Sequence, residues 1–154
     1  MKIDNITDMR IENIQPQTVA YMRRVGPYGP ENFSVMDSLK SWAWGKGLLQ
    51  GATLYGIAHD DSDTEPSECR YDACIVIDAP SQADDRVEVG ELPGGCYAVF
   101  EVAHSTPAIE AFWMSFLDVM ESEGLVIDES RPIMERYRES MIREGKSEFC
   151  VPVA

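Results

Sequence analysis

Apolar and polar residues alternate in short runs along most of this chain, and two longer stretches carry a helical period instead. Strand side chains point alternately to two faces. Met9 and Ile11 against Arg10 and Glu12 therefore predict a strand over Met9–Ile14, with Ile14 falling on the polar face, after a loose arm over residues 1–8. Thr18–Val25 follows Pro16 as a second strand, with Val19 and Tyr21 on one face. Gly26-Pro27-Tyr28-Gly29-Pro30 breaks the pattern. Pro30 and Glu31 suit a helix start. Phe33, Met36, Leu39 and Ala43 then recur at helical spacing, and Gly47 fits the position just past the end. Ala52–Ala58 and Arg70–Ile77 read as strands, the latter through Ala73-Cys74-Ile75-Val76-Ile77. The acidic stretch between them, His59 to Pro66, lacks the central Gly and closing Glu of an EF-hand loop and reads as a solvated hairpin loop.

After a polar connector, Pro80–Asp85, the pattern restarts. Val87–Leu92 and Cys96–Ala103 are strands around Pro93-Gly94-Gly95. Thr106 is placed to cap a helix with Pro107 at its first position. Ile109, Phe112, Trp113, Phe116, Leu117 and Met120 form an i, i+3, i+4, i+7 stripe, which Gly124 ends. A last hairpin spans Ile133–Val153.

The two halves share the order strand, strand, helix, strand, strand, and they match in detail. Ala20 of Val19-Ala20-Tyr21 corresponds to Ala98 of Tyr97-Ala98-Val99 at an offset of 78; Gly47 corresponds to Gly124 at 77 and Cys74 to Cys150 at 76. Such self-similarity sets architecture. It predicts one α+β domain over residues 1–154, a duplicated unit with pseudo-twofold symmetry, antiparallel strands and two helices. The halves run over about 9–79 and 86–154, and a ligand groove lies where they meet. Asp72 corresponds to Glu148, but Glu135 faces a counterpart region, Tyr55-Gly56-Ile57, that has no acid.

Composition narrows the functional classes. A formal net charge of −14 over 154 residues argues against binding a phosphate backbone. No apolar run is long enough to span a bilayer, and Met1-Lys2-Ile3-Asp4 opens no signal peptide. Cys69, Cys74, Cys96 and Cys150 show neither a CxxC pair nor zinc spacing, so free thiols in a reducing cytoplasm are expected, with no metal and no cofactor.

Glu135 is the candidate for chemistry. On the strand Ile133–Tyr137 it shares a face with Ile133 and Tyr137, while Met134 and Arg136 take the other. A carboxylate between an aliphatic and an aromatic residue is costly to bury unpaired, which suits either an exposed sheet face or a ligand-binding position.

The ordered set of segments resembles the GyrI-like family, also found as the effector-binding domain of AraC-type transcription regulators. The matching segments include Met9-Arg10-Ile11-Glu12, Val19-Ala20-Tyr21, Val25-Gly26-Pro27-Tyr28, Gly47-Leu48-Leu49 and Tyr55 to Asp61. Further on they are Arg70-Tyr71-Asp72-Ala73-Cys74, Pro93 to Val99, Trp113, Pro132 to Tyr137 and Glu148 to Pro152. The resemblance implies a duplicated β-α-β-β fold, in which the extra first strand of each half is an edge piece or part of the preceding strand, and a small organic ligand, often cationic and aromatic, in the groove between the halves. It places the groove glutamate at Glu135, a second acid at Glu148, and aromatics at Trp113 and Tyr137. Tyr21 and Tyr55 are candidates to line the groove from the other half. Asp60-Asp61-Ser62, His104-Ser105 and Cys150 depart from the family pattern, which bears on the ligand's identity. The implied function is a stand-alone small-molecule-binding protein that senses or sequesters its ligand. Two alternatives follow from other family members: a hydrolase of strained cyclopropane-bearing toxins, in which Glu135 is base or nucleophile and Tyr137 orients the substrate, or a gyrase-inhibitor-like module with a protein partner. With no room for a helix-turn-helix before residue 9, direct binding to nucleic acid is not expected, nor is a membrane partner.

Overall fold

The computed structural model describes residues 6–60 and 63–154. The elements are β1 (Ile6–Ile14), β2 (Gln17–Val25), α1 (Glu31–Gly45), β3 (Thr53–Ala58), β4 (Arg70–Val76), β5 (Glu88–Leu92), β6 (Gly95–Ala103), α2 (Thr106–Ser122), β7 (Met134–Arg138), α3 (Glu139–Arg143) and β8 (Lys146–Pro152). The fold is α+β: eight antiparallel strands form one open sheet in the order β1-β6-β8-β7-β3-β4-β2-β5. Exchanging each strand for its counterpart in the other half reverses that order onto itself, so the pseudo-twofold axis runs between β3 and β7.

The register locates the axis. Tyr55 stands opposite Cys74 in one half and Met134 opposite Cys150 in the other, which makes Gly56 and Glu135 counterparts. Gly56 and Glu135 are also direct partners across β3 and β7. The acid that breaks the repeat therefore sits on its axis, facing a glycine.

Each half lends its first strand to the other. β1 pairs with β6 and β5 pairs with β2, so both arms are edge strands of the opposite half. β1 begins at Ile6, within the stretch expected to be a loose arm; residues 1–5 of that arm, and Asp61 and Ser62 of the acidic loop, lie outside the described residues. The closing hairpin is interrupted by α3, whose Glu139 and Arg143 pair one turn apart; Gly145, at φ +73°, leads into β8.

The helix ends repeat as the sequence does. Gly47 and Gly124 take φ +72° and +70°, and the next amides close the same motif, Leu48 N–H to Ala43 O at 2.8 Å and Leu125 N–H to Met120 O at 2.9 Å. At the start of α2 the cap is Ser105, one residue before Thr106; its hydroxyl accepts from Ala108 N–H at 3.3 Å.

Both helices cover one face of the sheet. Met36, Leu39, Trp42 and Ala43 of α1 pack on Ala20, Leu54, Ala73 and Ile75. Phe112, Phe116, Val119 and Met120 of α2 pack on Ala98, Phe100, Phe149 and Val151, with Phe112 stacked on Phe149 at 4.0 Å between centroids. The opposite face carries its own core, including Val19, Tyr55, Ile57, Cys74, Tyr97, Val99, Met134 and Cys150, and no helix residue belongs to it. Burial on both faces explains why Ala73–Ile77 does not alternate. It also explains Ile14, which joins this second core from the same side of β1 as Arg10 and Glu12.

Candidate functional site

The pleat divides the six candidate residues into two sets. Glu135 stands opposite Gly56 on β3 and Phe149 on β8, and Tyr137 stands opposite Leu54, so both side chains lie on the helix-covered face. Tyr137 packs with the α1 cluster, and Phe149 belongs to the α2 cluster. Glu135 thus lies between the footprints of the two helices. Trp113 of α2 reaches the same place: its ring meets Phe149 edge-on at 5.3 Å while 40% of its surface stays exposed. The apolar stripe on α2 therefore does not bury Trp113 or Leu117, which is 58% exposed.

Glu135 is half-buried, and the Tyr137 hydroxyl donates to its Oε2. Burial pushes its pKa up, and the Tyr137 hydrogen bond offsets part of that rise. Among the described residues no Lys or Arg forms an ion pair with it. Two residues not singled out from the sequence complete the surroundings. Tyr71 lies over Gly56, where an added Cβ would come within 2.5 Å of the Tyr71 hydroxyl oxygen. Burial and then the Glu135 charge raise the pKa of both Tyr71 and Tyr137, so both phenols stay protonated. The ring of His104 meets Tyr137 edge-on at 5.7 Å, and burial followed by Lys40 holds its pKa down. The side-chain parity of β4 puts Tyr71 with Ala73 and Ile75, so its face was readable; its place over Gly56 depends on cross-strand register.

The structure does not bring Glu148, Tyr21 and Tyr55 to Glu135. They lie on the opposite face, because each is one register step out of phase with the Glu135 row. Glu148 is 1% exposed and accepts from Arg10 at 2.7 Å, Arg138 at 2.9 Å and Arg136 at 3.0 Å. Arg136 also donates twice to Glu12. Burial opposes ionisation of Glu148, but these donors outweigh it and its pKa falls. Its counterpart Asp72 is built alike: Arg23 donates to both oxygens at 2.7 and 2.9 Å, and His59 Nε2 lies 2.7 Å away. Burial again opposes, and the Arg23 and His59 bonds bring the Asp72 pKa down to about 2. The Tyr55 hydroxyl donates to Gln17 at 2.7 Å, with its pKa pushed up to about 12 by burial, and the Arg23 guanidinium lies over the Tyr21 ring at 5.6 Å. Glu148, Asp72 and the Tyr55 hydroxyl thus have their partners within the chain. Among the described residues no cluster of three or more His, Cys, Asp or Glu side chains is placed to hold a metal ion.

Glu135 is thus a half-buried carboxylate beside protonated phenols, on the axis of a duplicated sheet. The chain belongs to the GyrI-like small molecule binding domain family, which matches residues 7–154. YosT, an SPbeta prophage-derived protein of Bacillus subtilis (strain 168) provisionally named a transcriptional regulator, is 37% identical over 145 residues, covering 93% of this chain and 97% of YosT. Several solved structures share the fold, among them EcmrR and SAV2435. EcmrR, in a cryo-EM complex with DNA, superposes with a TM-score of 0.73 at 12% identity over 95% of this chain; the chain spans 57% of EcmrR. SAV2435 bound to tetraphenylphosphonium superposes with a TM-score of 0.60 at 15% identity, over 96% of this chain and 94% of its own. No helix among the described residues is long and apolar enough to cross a membrane.

Proposed function

We propose that this chain binds small aromatic cations between α1 and α2, with Glu135 as counter-charge, and that it senses or sequesters them. The observation that carries this reading is that Glu135 has a phenol donor but no cationic partner among the described residues. A buried carboxylate without a counter-ion is costly, and a desolvated cation beside it relieves that cost while gaining Coulomb energy at low dielectric. Trp113 and the two phenols supply faces for cation–π contact, each worth about 0.5–2 kcal/mol. The tetraphenylphosphonium held by the structural neighbour has this chemistry, a single positive charge wrapped in phenyl rings. Two cavities of about 390 and 460 Å3 lie elsewhere, against α3 and against α1. The space at Glu135 is taken up by the phenols themselves, so on this reading binding turns these rings outward.

The test is calorimetric titration with tetraphenylphosphonium. Glu135→Gln nearly conserves volume and removes the charge, so affinity falls by roughly 30-fold or more, the lower end of the cost of breaking a desolvated charge pair. Equal affinities in variant and wild type overturn the proposal. The raised pKa of Glu135 also suits a general base, so product formation from strained cyclopropanes is followed separately. Turnover that Glu135→Gln abolishes identifies a hydrolase.

A further inference from the structure

Away from Glu135, a cavity of about 390 Å3 opens where the start of β3 meets α3. Gly51, Ala52 and Thr53 line it on one side, and the polar side chains of Arg138, Glu139, Ser140 and Arg143 line the other. The chain carries a net charge of −14, yet two arginines line this one small cavity. Their acidic partners do not use up their donors. Arg138 gives one Nη2 bond to Glu148, and its buried Nε has no partner among the described residues. Arg143 gives one Nη2 bond to Glu139 and is otherwise exposed. Glu139 is held in place because its other oxygen accepts the Gly51 N–H at 2.8 Å. Two guanidiniums and two hydroxyls around one cavity match the acceptor-rich outline of a phosphate or carboxylate.

We propose that this cavity is a binding site for a small oxyanion group, phosphate or carboxylate, held by Arg138 and Arg143 and oriented by Thr53 and Ser140. It is separate from the proposed cation groove: Arg138 and Tyr137 are neighbours on β7 and point to opposite faces. Glu139 is the one repulsive element on the wall, and it limits affinity for any anion that lacks a positive group of its own.

The experiment is a titration of the full chain with inorganic phosphate and, in a second arm, with acetate, at constant ionic strength, read by amide chemical shifts. Saturable shifts at Gly51, Thr53, Ser140 and Arg143 are expected. A response to phosphate alone assigns phosphorylated ligands, and a response to acetate assigns carboxylates. Arg143→Gln, an exposed change, weakens binding by about tenfold or more, as loss of a charge-assisted bond predicts. Arg86→Gln removes the same charge beside β5 and leaves binding unchanged. Glu139→Gln keeps an oxygen for Gly51 and strengthens binding. The proposal is overturned if neither anion saturates, or if Arg143→Gln and Arg86→Gln bind alike.

Discussion

Glu135 and Glu148 sit on adjacent strands and have opposite surroundings. Arg136 follows Glu135 in the chain, yet the pleat turns it away, and it stands opposite Glu148 in β8. Arg10 and Arg138 join it there, so one face of the sheet gathers three arginines around one glutamate while the other leaves a glutamate with a phenol. The difference teaches how the two acids are to be read. Glu148 and its repeat counterpart Asp72 are satisfied by the fold and hold strands together. Glu135 is not satisfied with charge, and its counterpart Gly56 gives up a side chain to make room beside it. Removal from water is common to these acids; the identity of their partners separates them.

The comparison breaks most visibly at Glu148. Glu148→Ala removes the acceptor common to three arginines and leaves Arg136, 4% exposed, with Glu12 alone. Breaking a buried pair from one side costs about 3–5 kcal/mol, a large part of the 5–15 kcal/mol typical of a domain. Urea unfolding is expected to show that loss, whereas Glu135→Gln unfolds at the wild-type midpoint or above it. If both variants unfold alike, the two acids are not distinct in kind.

pH separates the same two acids. The Glu135 pKa is raised in the folded state, so the fold takes up its proton first as pH falls. Protonation there stabilises the fold between the raised folded value and the ordinary carboxylate value, while it removes the charge a cation needs. Asp72 and Glu148 have lowered values, so their contribution is complete above the ordinary carboxylate range and is lost as pH falls through the folded values, about 2 for Asp72. Tetraphenylphosphonium affinity is therefore expected to fade in a window where the melting temperature holds, and acid unfolding follows at lower pH. Affinity and stability lost together, at one pH, contradict this order.

Much of the scaffold behind this contrast was legible in the sequence. The offset of 76 to 78, the paired glycines 47 and 124, and the helical stripe from Ile109 to Met120 all correspond to features of the fold. The exchange of β1 and β5 was not legible, because alternation in Met9–Ile14 states which face is apolar and not which strand lies alongside. For the same reason the sequence does not separate Glu148, Tyr21 and Tyr55, which the family resemblance or the repeat offers for the groove, from Glu135. Their faces follow from parity within each strand, but relating one strand's parity to another's needs the register, which the Gly56–Glu135 pair supplies. The three arginines that distinguish Glu148 come from residues 10, 136 and 138, and only the folded sheet brings them together.

A smaller effect is expected where the two phenols meet the axis. Gly56→Ala places a methyl group within 2.5 Å of the Tyr71 hydroxyl and forces that side chain aside, at a cost of about 1–3 kcal/mol as for other overpacked sites. Tyr71→Phe removes the oxygen that is struck. The double variant is expected to be more stable than the two single losses summed, a coupling readable from thermal or urea unfolding. Additive losses show that Tyr71 does not fill the space Gly56 leaves.

The smallest effect sharpens the contrast most finely, because it adjusts Glu135 without removing it. Tyr137→Phe keeps the ring that packs with α1 and meets His104, and deletes the hydroxyl that donates to the carboxylate. That bond is what holds the Glu135 pKa below the value burial alone would set. Without it the pKa rises further, and the pH at which cation affinity is half lost moves upward. Well above that pH the carboxylate is ionised in both proteins, and affinity differs only by the net worth of one hydrogen bond to a charged group, about 1.5–3 kcal/mol at most. The loss is smaller still where the cation takes the donor's place at the same oxygen. The measurement is tetraphenylphosphonium titration of wild type and Tyr137→Phe across the same pH series. A midpoint that stays put, with unchanged affinity above it, means that Tyr137 only packs beside Glu135 and does not set its charge.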